Sequence, residues 1–332
     1  MGGGQTLICL MEYCDYKYEA DGNGYYSIIP NKTVPRPETF FKYYALTDYS
    51  VDALTNMYIY ATHPNQFNDP FDCNEKLIVF DSLEDIQKLW DVPQLYEEYI
   101  QLYPSVVEAC RQCSHDFKTV LFRKLGLFSL APKPDNYLMW ALYSQNKGFC
   151  VEFDVKEFPF RHFGPYPINY VEEISHPIHI GETGGPIAML IQSNIKNSWW
   201  QYENEWRLYI PNPEGLDMKS FGPESERFNS LVDHDRRFKY QLSALCSVTL
   251  GNAFFEDLTI YSISQFEIEV ESLINDNSKQ MRVLDFLSEV QSKTDLNVYI
   301  TSLYDFSSYN FIPVFIMKLS EHKYRISSTN IK

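Results

Sequence analysis

Glu203, Glu205 and Arg207 stand at alternate positions in the stretch KNSWWQYENEWRLYIP, Lys196 to Pro211. If this stretch is extended, side chains repeat every second residue and the three charges share one face. Trp206, Leu208 and Ile210 then take the other face. Two neighbouring carboxylates raise each other's pKa, which is one way general bases are made. Such a face suits the wall of a pocket. It also suits a solvated Glu/Arg ladder on an ordinary edge strand. The spacing alone leaves both readings open.

Two other stretches carry groups that can do chemistry. QFNDPFDC, Gln66 to Cys73, places Asn68 and Asp69 before Pro70. Side chains of this kind bond their own backbone and cap turns. The stretch therefore reads as a rigid turn at a strand end, or as a pocket mouth lined by Asn68, Asp69 and Asp72. CRQCSH, Cys110 to His115, holds a CxxC beside a histidine. Zinc would need a second ligand pair at suitable spacing, and the other cysteines are isolated, so helix packing is the reading and no metal is expected. The chain has no GxxxxGK[ST], no GxGxxG and no GxSxG. The sequence thus supports neither a P-loop, nor a Rossmann dinucleotide site, nor a nucleophile elbow.

The elements that must position these groups follow from pattern and punctuation. Strands are expected at Phe40–Tyr44, Met57–Thr62, Gly126–Pro132, Phe149–Asp154, Pro167–Glu173, through ENEWRL, and at Leu245–Gly251, from aromatic and β-branched content. NVYITSLY and FIPVFIMKLS add two or three more near the end. Helices are expected at Ser50–Asn56 with Ser50 as N-cap, at Asp81–Tyr103 with a break near Pro93, and at Pro104–Leu125 with proline in the first turn. Further helices are expected at Asn136–Gly148, Gly184–Ser198 and Lys279–Thr294. Trp140 and Tyr143 lie three apart on one helix face, as core residues do. DGNG, Asp21 to Gly24, signals a turn, and the polar segment 222–238 reads as helix and loop. The sum is an α+β fold with a mixed, mainly antiparallel sheet core and flanking helices. Its expected organisation is an extension and linker over 1–37, a main domain over 38–265, and a C-terminal helix and strands over 266–332 packed on it.

Bulk properties narrow the classes. The 332 residues are 45% hydrophobic and 16% aromatic, with 25 Tyr and 23 Phe, which argues for a packed core and against disorder. The formal charge of −16 disfavours non-specific binding to nucleic acid, which needs a positive surface. The seven cysteines are scattered, and no basic-then-apolar secretory pattern precedes them, so free thiols in a reducing cytoplasm are expected. No run approaches the length of a membrane span, so no membrane partner is expected. The opening MGGGQT fits a myristoylation pattern, and fits a flexible glycine-rich tail more simply.

Taken together, FNDPFDC, then LFS and LMWALYSQNKGFCVEFD, then YENEWRL and VTLG, resemble an uncharacterised bacterial domain family. Its pattern runs FNDPFD, MW..Y…G..F and W..E.E.R, over roughly Phe40 to Gly251. The chain departs from it at Tyr44, where the family tends to have arginine, and at Ser144 and Asn146, where alanine and histidine are common. The layout is more distantly similar to ADP-ribosyltransferases, including the toxin type that modifies DNA. That resemblance implies NAD as substrate. Glu205 would stabilise the oxocarbenium-like transition state as nicotinamide leaves, and Glu203 would orient or deprotonate the acceptor. Lys42 or Tyr43 would sit on the first strand and hold the NAD ribose or phosphate. Tyr60, stacking on nicotinamide, or Ser129 would occupy the middle position. Asn68, Asp69, Trp140 and Arg207 would complete the cofactor side. The acceptor would be a macromolecule, nucleic acid or protein, and the setting a bacterial anti-phage or toxin–antitoxin operon with an antitoxin or operon neighbour as partner.

Two other classes fit the same residues. One is a non-catalytic partner-binding or sensor module of a defence operon, since protein interfaces favour Tyr and Trp. The other is a nucleic-acid-processing enzyme using Asp69, Asp72, Glu203 and Glu205 as a metal cluster, which requires the FNDPFD loop to lie against the ENEWR segment.

Overall fold

The computed structural model describes residues 9–20, 26–89, 97, 100–123, 125–174, 176–211, 236–272, 278–303 and 309–328. The MGGGQT start, the turn expected at Asp21–Gly24, the break near Pro93 and most of the segment 222–238 lie outside them. The chain forms two compact units, each assembled from three segments. Unit 1 comprises 1–36, 60–129 and 161–237; unit 2 comprises 37–59, 130–160 and 238–332. Unit 2 begins at residue 37, and residues 38–265 are divided between the two units. Residues 1–36 belong to unit 1, and 266–332 belong to unit 2 together with 238–265.

Unit 2 is built on one eight-stranded sheet. Its order is Thr259–Ser264, Glu267–Glu271, Lys323–Ser328, Tyr309–Ser320, Asn297–Leu303, Leu245–Leu250, Phe149–Phe153 and Phe40–Tyr44. Every pairing is antiparallel except that of Leu245–Leu250 with Asn297–Leu303. The fold is therefore α+β with a mainly antiparallel sheet. Helix Lys279–Lys293 is amphipathic, as its sequence predicts, and buries Met281, Val283, Leu284, Leu287 and Val290. Ser278 caps it by accepting from the Met281 N–H. The Gln291 side chain donates to the Val314 carbonyl at 3.0 Å and accepts from the Ile316 N–H at 3.0 Å, which ties the helix to the sheet.

Unit 1 is made of smaller pieces. Cys9–Tyr13, Tyr16–Ala20 and Tyr26–Pro30 form an antiparallel meander. The strand Trp206–Pro211 lies between Leu125–Leu130 and Phe163–Pro167. Asn169–Val171 runs parallel to Ile195–Asn197, with Tyr170 opposite Lys196. One core collects Tyr18, Ile28, Phe80, Phe117, Leu127, Leu190 and Tyr209 across these elements. Helix Gly185–Asn194, almost wholly buried, is anchored by the Tyr18 hydroxyl donating to Asn194 Oδ1 at 3.0 Å.

Local chemistry moved several boundaries. The helix expected from Ser50 starts at Asp48, because Thr47 and Ser50 form a reciprocal capping box that places Ser50 at the third helical position. The helix expected from Pro104 runs Val106–Leu121, capped by Ser105, so its proline lies just outside. The helix expected over Gly184–Ser198 stops at Asn194, and Pro167–Glu173 holds only the short strand Asn169–Val171 after the strand Phe163–Pro167. The described cysteines 14, 73, 110, 113, 150 and 246 are free thiols. No described helix is long and apolar enough to cross a membrane.

Two glycines in unit 2 mark close backbone approaches. A Cβ at Gly148 would lie 1.9 Å from the Tyr44 carbonyl oxygen, and one at Gly251 would lie 2.1 Å from that of Asn146. The Gly251 N–H donates to the Gly148 carbonyl at 2.9 Å, so the ends of two paired strands are sewn together here. Backbone cannot yield as a flexible side chain can. Gly251→Ala should therefore lower the unfolding free energy by about 3 kcal/mol or more, read as a lower urea midpoint at unchanged slope. A loss below about 0.5 kcal/mol would mean that the crossing is looser than described.

Candidate functional site

The charged residues of the ENEWR stretch meet inside unit 1, and by a different route from a simple strand. Ser198–Glu203 is a 3₁₀ helix, capped by Asn197 accepting from the Trp199 N–H. Asn204 is left-handed, with φ 46° and ψ 46°, a conformation asparagine tolerates better than most residues. The strand starts only at Trp206. Residues 206 to 210 are all buried, so no solvated charged face exists. The expectation of three charges alternating along one strand face is thus corrected: a turn at Asn204, not a pleat, brings Glu203 and Glu205 together. The solvated ladder is excluded, since Glu203, Glu205 and Arg207 are 4%, 5% and 1% exposed.

Arg207 is the hub. Its five N–H groups are all engaged. Nη1 and Nη2 grip Asp72 Oδ1 and Oδ2 at 3.0 and 2.5 Å. Nε and Nη2 donate to Glu205 Oε1 and Oε2 at 2.8 and 3.3 Å. Nη1 also donates to the Ser193 carbonyl at 2.6 Å, and the guanidinium carbon sits 5.0 Å from the Phe67 ring centroid. Lys196 is the second cation. Its Nζ donates to Glu203 at 2.6 Å and Glu205 at 3.1 Å, lies 3.9 Å from Asp72, and faces the Trp200 ring at 4.8 Å. The Ser129 side chain also lies beside the Glu205 carboxylate and favours its ionised form. Tyr170 positions the backbone, its hydroxyl accepting from the Glu205 N–H at 2.8 Å.

The electrostatics follow from this geometry. Burial alone would raise the Glu205 pKa. The Arg207 guanidinium and Lys196 ammonium beside it, with the hydrogen bonds from Arg207 and the nearby Ser129 side chain, overcome burial and hold the carboxyl well below the usual range. The expected general base with a raised pKa is therefore corrected: the Glu205 pKa is lowered, because cations rather than carboxylates dominate its surroundings. Burial would lower Lys196 and Arg207, but Glu205 and Glu203 keep the ammonium protonated, and Asp72 and Glu205 do so for the guanidinium. Three carboxyl groups face two cations, so with the carboxylates ionised the centre carries −1.

The other predicted residues are distributed as follows. The FNDPFD loop does meet the ENEWR segment, through Asp72. Asp69 acts as a turn former: its Oδ1 accepts from the Phe71 N–H at 2.9 Å, while its buried Oδ2 has no hydrogen-bond partner among the described residues. Asn68 is exposed. The Tyr60 hydroxyl exchanges hydrogen bonds with Gln66. Lys42, Tyr43 and Trp140 belong to unit 2. There Tyr43 and Trp140 stack edge to face at 5.3 Å, and each donates to a backbone carbonyl, Lys133 and Pro134. Trp140 is wholly buried, so its ring has no face open to a ligand.

The donor set around the carboxylates is occupied by ammonium and guanidinium groups, which leaves no open carboxylate cluster of the kind a divalent cation needs. No group of three or more His, Cys, Asp or Glu suited to a metal ion occurs among the described residues, Cys110 and Cys113 with His115 included. His115 instead bonds Glu75 at 2.6 Å. Sequence reasoning missed Lys196 and Tyr170. Lys196 had a signal, a lone lysine before a tryptophan pair and seven to nine residues before two glutamates; Tyr170 had none, because its role depends on register. No protein-family profile, no curated protein and no solved structure matches this chain.

A carboxyl whose folded pKa lies below its unfolded value adds stability above the ordinary carboxylate range and loses it as the pH falls. Unfolding free energy should therefore decline progressively below about pH 4.3. Glu205→Gln should cost about 3 kcal/mol near neutral pH, and the gap to wild type should narrow as urea midpoints are followed down to about pH 3. Parallel curves for the two proteins would contradict the depressed pKa.

Proposed function

We propose that unit 1 carries out ADP-ribosyl transfer from NAD, with Glu205 as the group that stabilises the transition state. The observation that carries this is the Glu205–Arg207–Lys196 constellation: a carboxylate kept anionic by two cations, with the Ser129 side chain beside it on the strand paired directly with Trp206–Pro211. Loss of nicotinamide from NAD leaves a ribose carbon with oxocarbenium character. A fixed anion beside that carbon stabilises the transition state more than the ground state, and it does so without reorganising. Because Glu205 remains ionised, its role is electrostatic and orienting, with the ribose 2′-hydroxyl taking the place of one Ser129 or Lys196 contact. Glu203, held by Lys196, would orient the acceptor.

In this reading the layout is ADP-ribosyltransferase-like and the bacterial family resemblance marks the same residues. Tyr60, Asn68 and Asp69 are the unit 1 candidates for the NAD side, while the burial of Tyr43 and Trp140 in unit 2 removes them from a stacking role. The acceptor is a macromolecule, and an anti-phage or toxin–antitoxin operon in a bacterial cytoplasm is the setting proposed. A second reading, a partner-binding or sensor module, is favoured by Trp199 and Phe71, which are 88% and 71% exposed beside the same centre.

Purified protein incubated with labelled NAD and a lysate should release nicotinamide and transfer label. Glu205→Gln should reduce this by about 100-fold or more, and the half-buried Ser129→Ala by about 10-fold with its melting temperature kept. Absence of nicotinamide release, with no NAD-dependent rise in melting temperature, would overturn the transferase reading. Equal turnover in both variants would do the same for the assignment of the centre.

A further inference from the structure

A cleft of about 420 Å³ opens in unit 1 beside the charge centre. Phe71, Trp199, Trp200, Lys196, Glu172 and Glu173 are among the residues that line it. Its size falls within the range of small-molecule sites. Trp199 and Phe71 present most of their rings to solvent, 88% and 71%. Two large aromatics this exposed in one concavity are a recognition surface in waiting, since burying them offers a large gain.

The charge around the cleft decides what fits. Lys196 would suggest an anion, but its ammonium is spent on Glu203 and Glu205, with Asp72 3.9 Å away. Glu172 and Glu173, both exposed and in no ion pair among the described residues, add two negative charges to the cleft's lining. A ring face attracts a cation through its quadrupole, and nearby carboxylates reinforce the attraction. A phosphate or carboxylate seated against these rings would meet the repulsion of Glu172 and Glu173.

From these observations we infer that the cleft binds an organic monocation of small-molecule size, its substituted nitrogen held against Trp199 and Phe71 and balanced by Glu172 and Glu173. The Lys196–Trp200 contact at 4.8 Å is a cation–ring interaction of the same kind within the chain. The inference goes beyond the transfer reading and stands without it, because it uses only the cleft's shape, rings and charge.

The test pairs choline with its uncharged isostere 3,3-dimethylbutan-1-ol, on the full chain, read by tryptophan fluorescence. Choline should give a saturable change and bind about 10-fold tighter than the alcohol, the difference cation–π and carboxylate attraction supply together. Trp199→Ala should abolish the signal change. Glu172→Gln with Glu173→Gln should weaken choline about 10-fold and leave the alcohol unchanged. All three side chains are exposed, so the fold should survive, which melting curves check. Equal or tighter binding of the alcohol would show an apolar cleft without charge recognition and overturn the inference. So would no saturable response to choline, or a response that Trp199→Ala leaves intact. Loss of nicotinamide release in a separate assay bears only on the transfer reading.

Discussion

Arg207 must place five N–H donors at once, and that requirement organises unit 1. The guanidinium is planar and always charged, so its fork fixes directions as well as distances. Asp72 comes from a loop more than a hundred residues earlier, Ser193 from the end of a buried helix, and Glu205 from the turn below the strand. Each can satisfy Arg207 only if its own element is in place. The Asn204 turn, the parallel pairing that sets Tyr170 opposite Lys196, and the Asp69 turn that delivers Asp72 are the local means.

Burying five charged groups costs a great deal in desolvation, and well-packed apolar residues of similar volume are often as stable or more so. A centre of this kind is therefore a weak explanation of stability taken alone. What it provides is a carboxylate biased strongly to its ionised form and held by hydrogen bonds from Arg207 and Lys196. That property suits electrostatic stabilisation of a developing positive charge and does not suit proton abstraction. The same excess of negative charge extends into the neighbouring cleft, so one charge distribution underlies both the proposed chemistry at Glu205 and the cation selectivity of the rings beside it.

Much of the architecture is legible in the residues. Alternating and β-branched runs mark Phe40–Tyr44, Phe149–Phe153 and Leu245–Leu250, and the 3.6-residue period marks Lys279–Lys293. These elements follow local rules that tertiary packing reinforces. The site is legible in composition but not in geometry. That Glu203, Glu205 and Arg207 belong together shows in their spacing, yet the pleat that spacing suggests is replaced by a 3₁₀ helix and a left-handed asparagine. The sign of the Glu205 pKa shift was also hidden, because it depends on Lys196 and Arg207 outweighing burial, a matter of distances across elements. Tyr43 and Trp140 show the converse. Their chemistry suits a ligand site, but their hydrogen-bond partners and burial assign them to a core.

The claim at the centre of this account is that Arg207 and Asp72 form one coupled buried pair. A double-mutant cycle of Asp72→Asn and Arg207→Gln, read by urea unfolding, tests it directly. Each single variant should lose about 3 to 5 kcal/mol, and the double variant should lose about 2 kcal/mol less than their sum. Single losses under about 0.5 kcal/mol that simply add would contradict it, and would mean that the charges are solvated and the centre does not organise the unit.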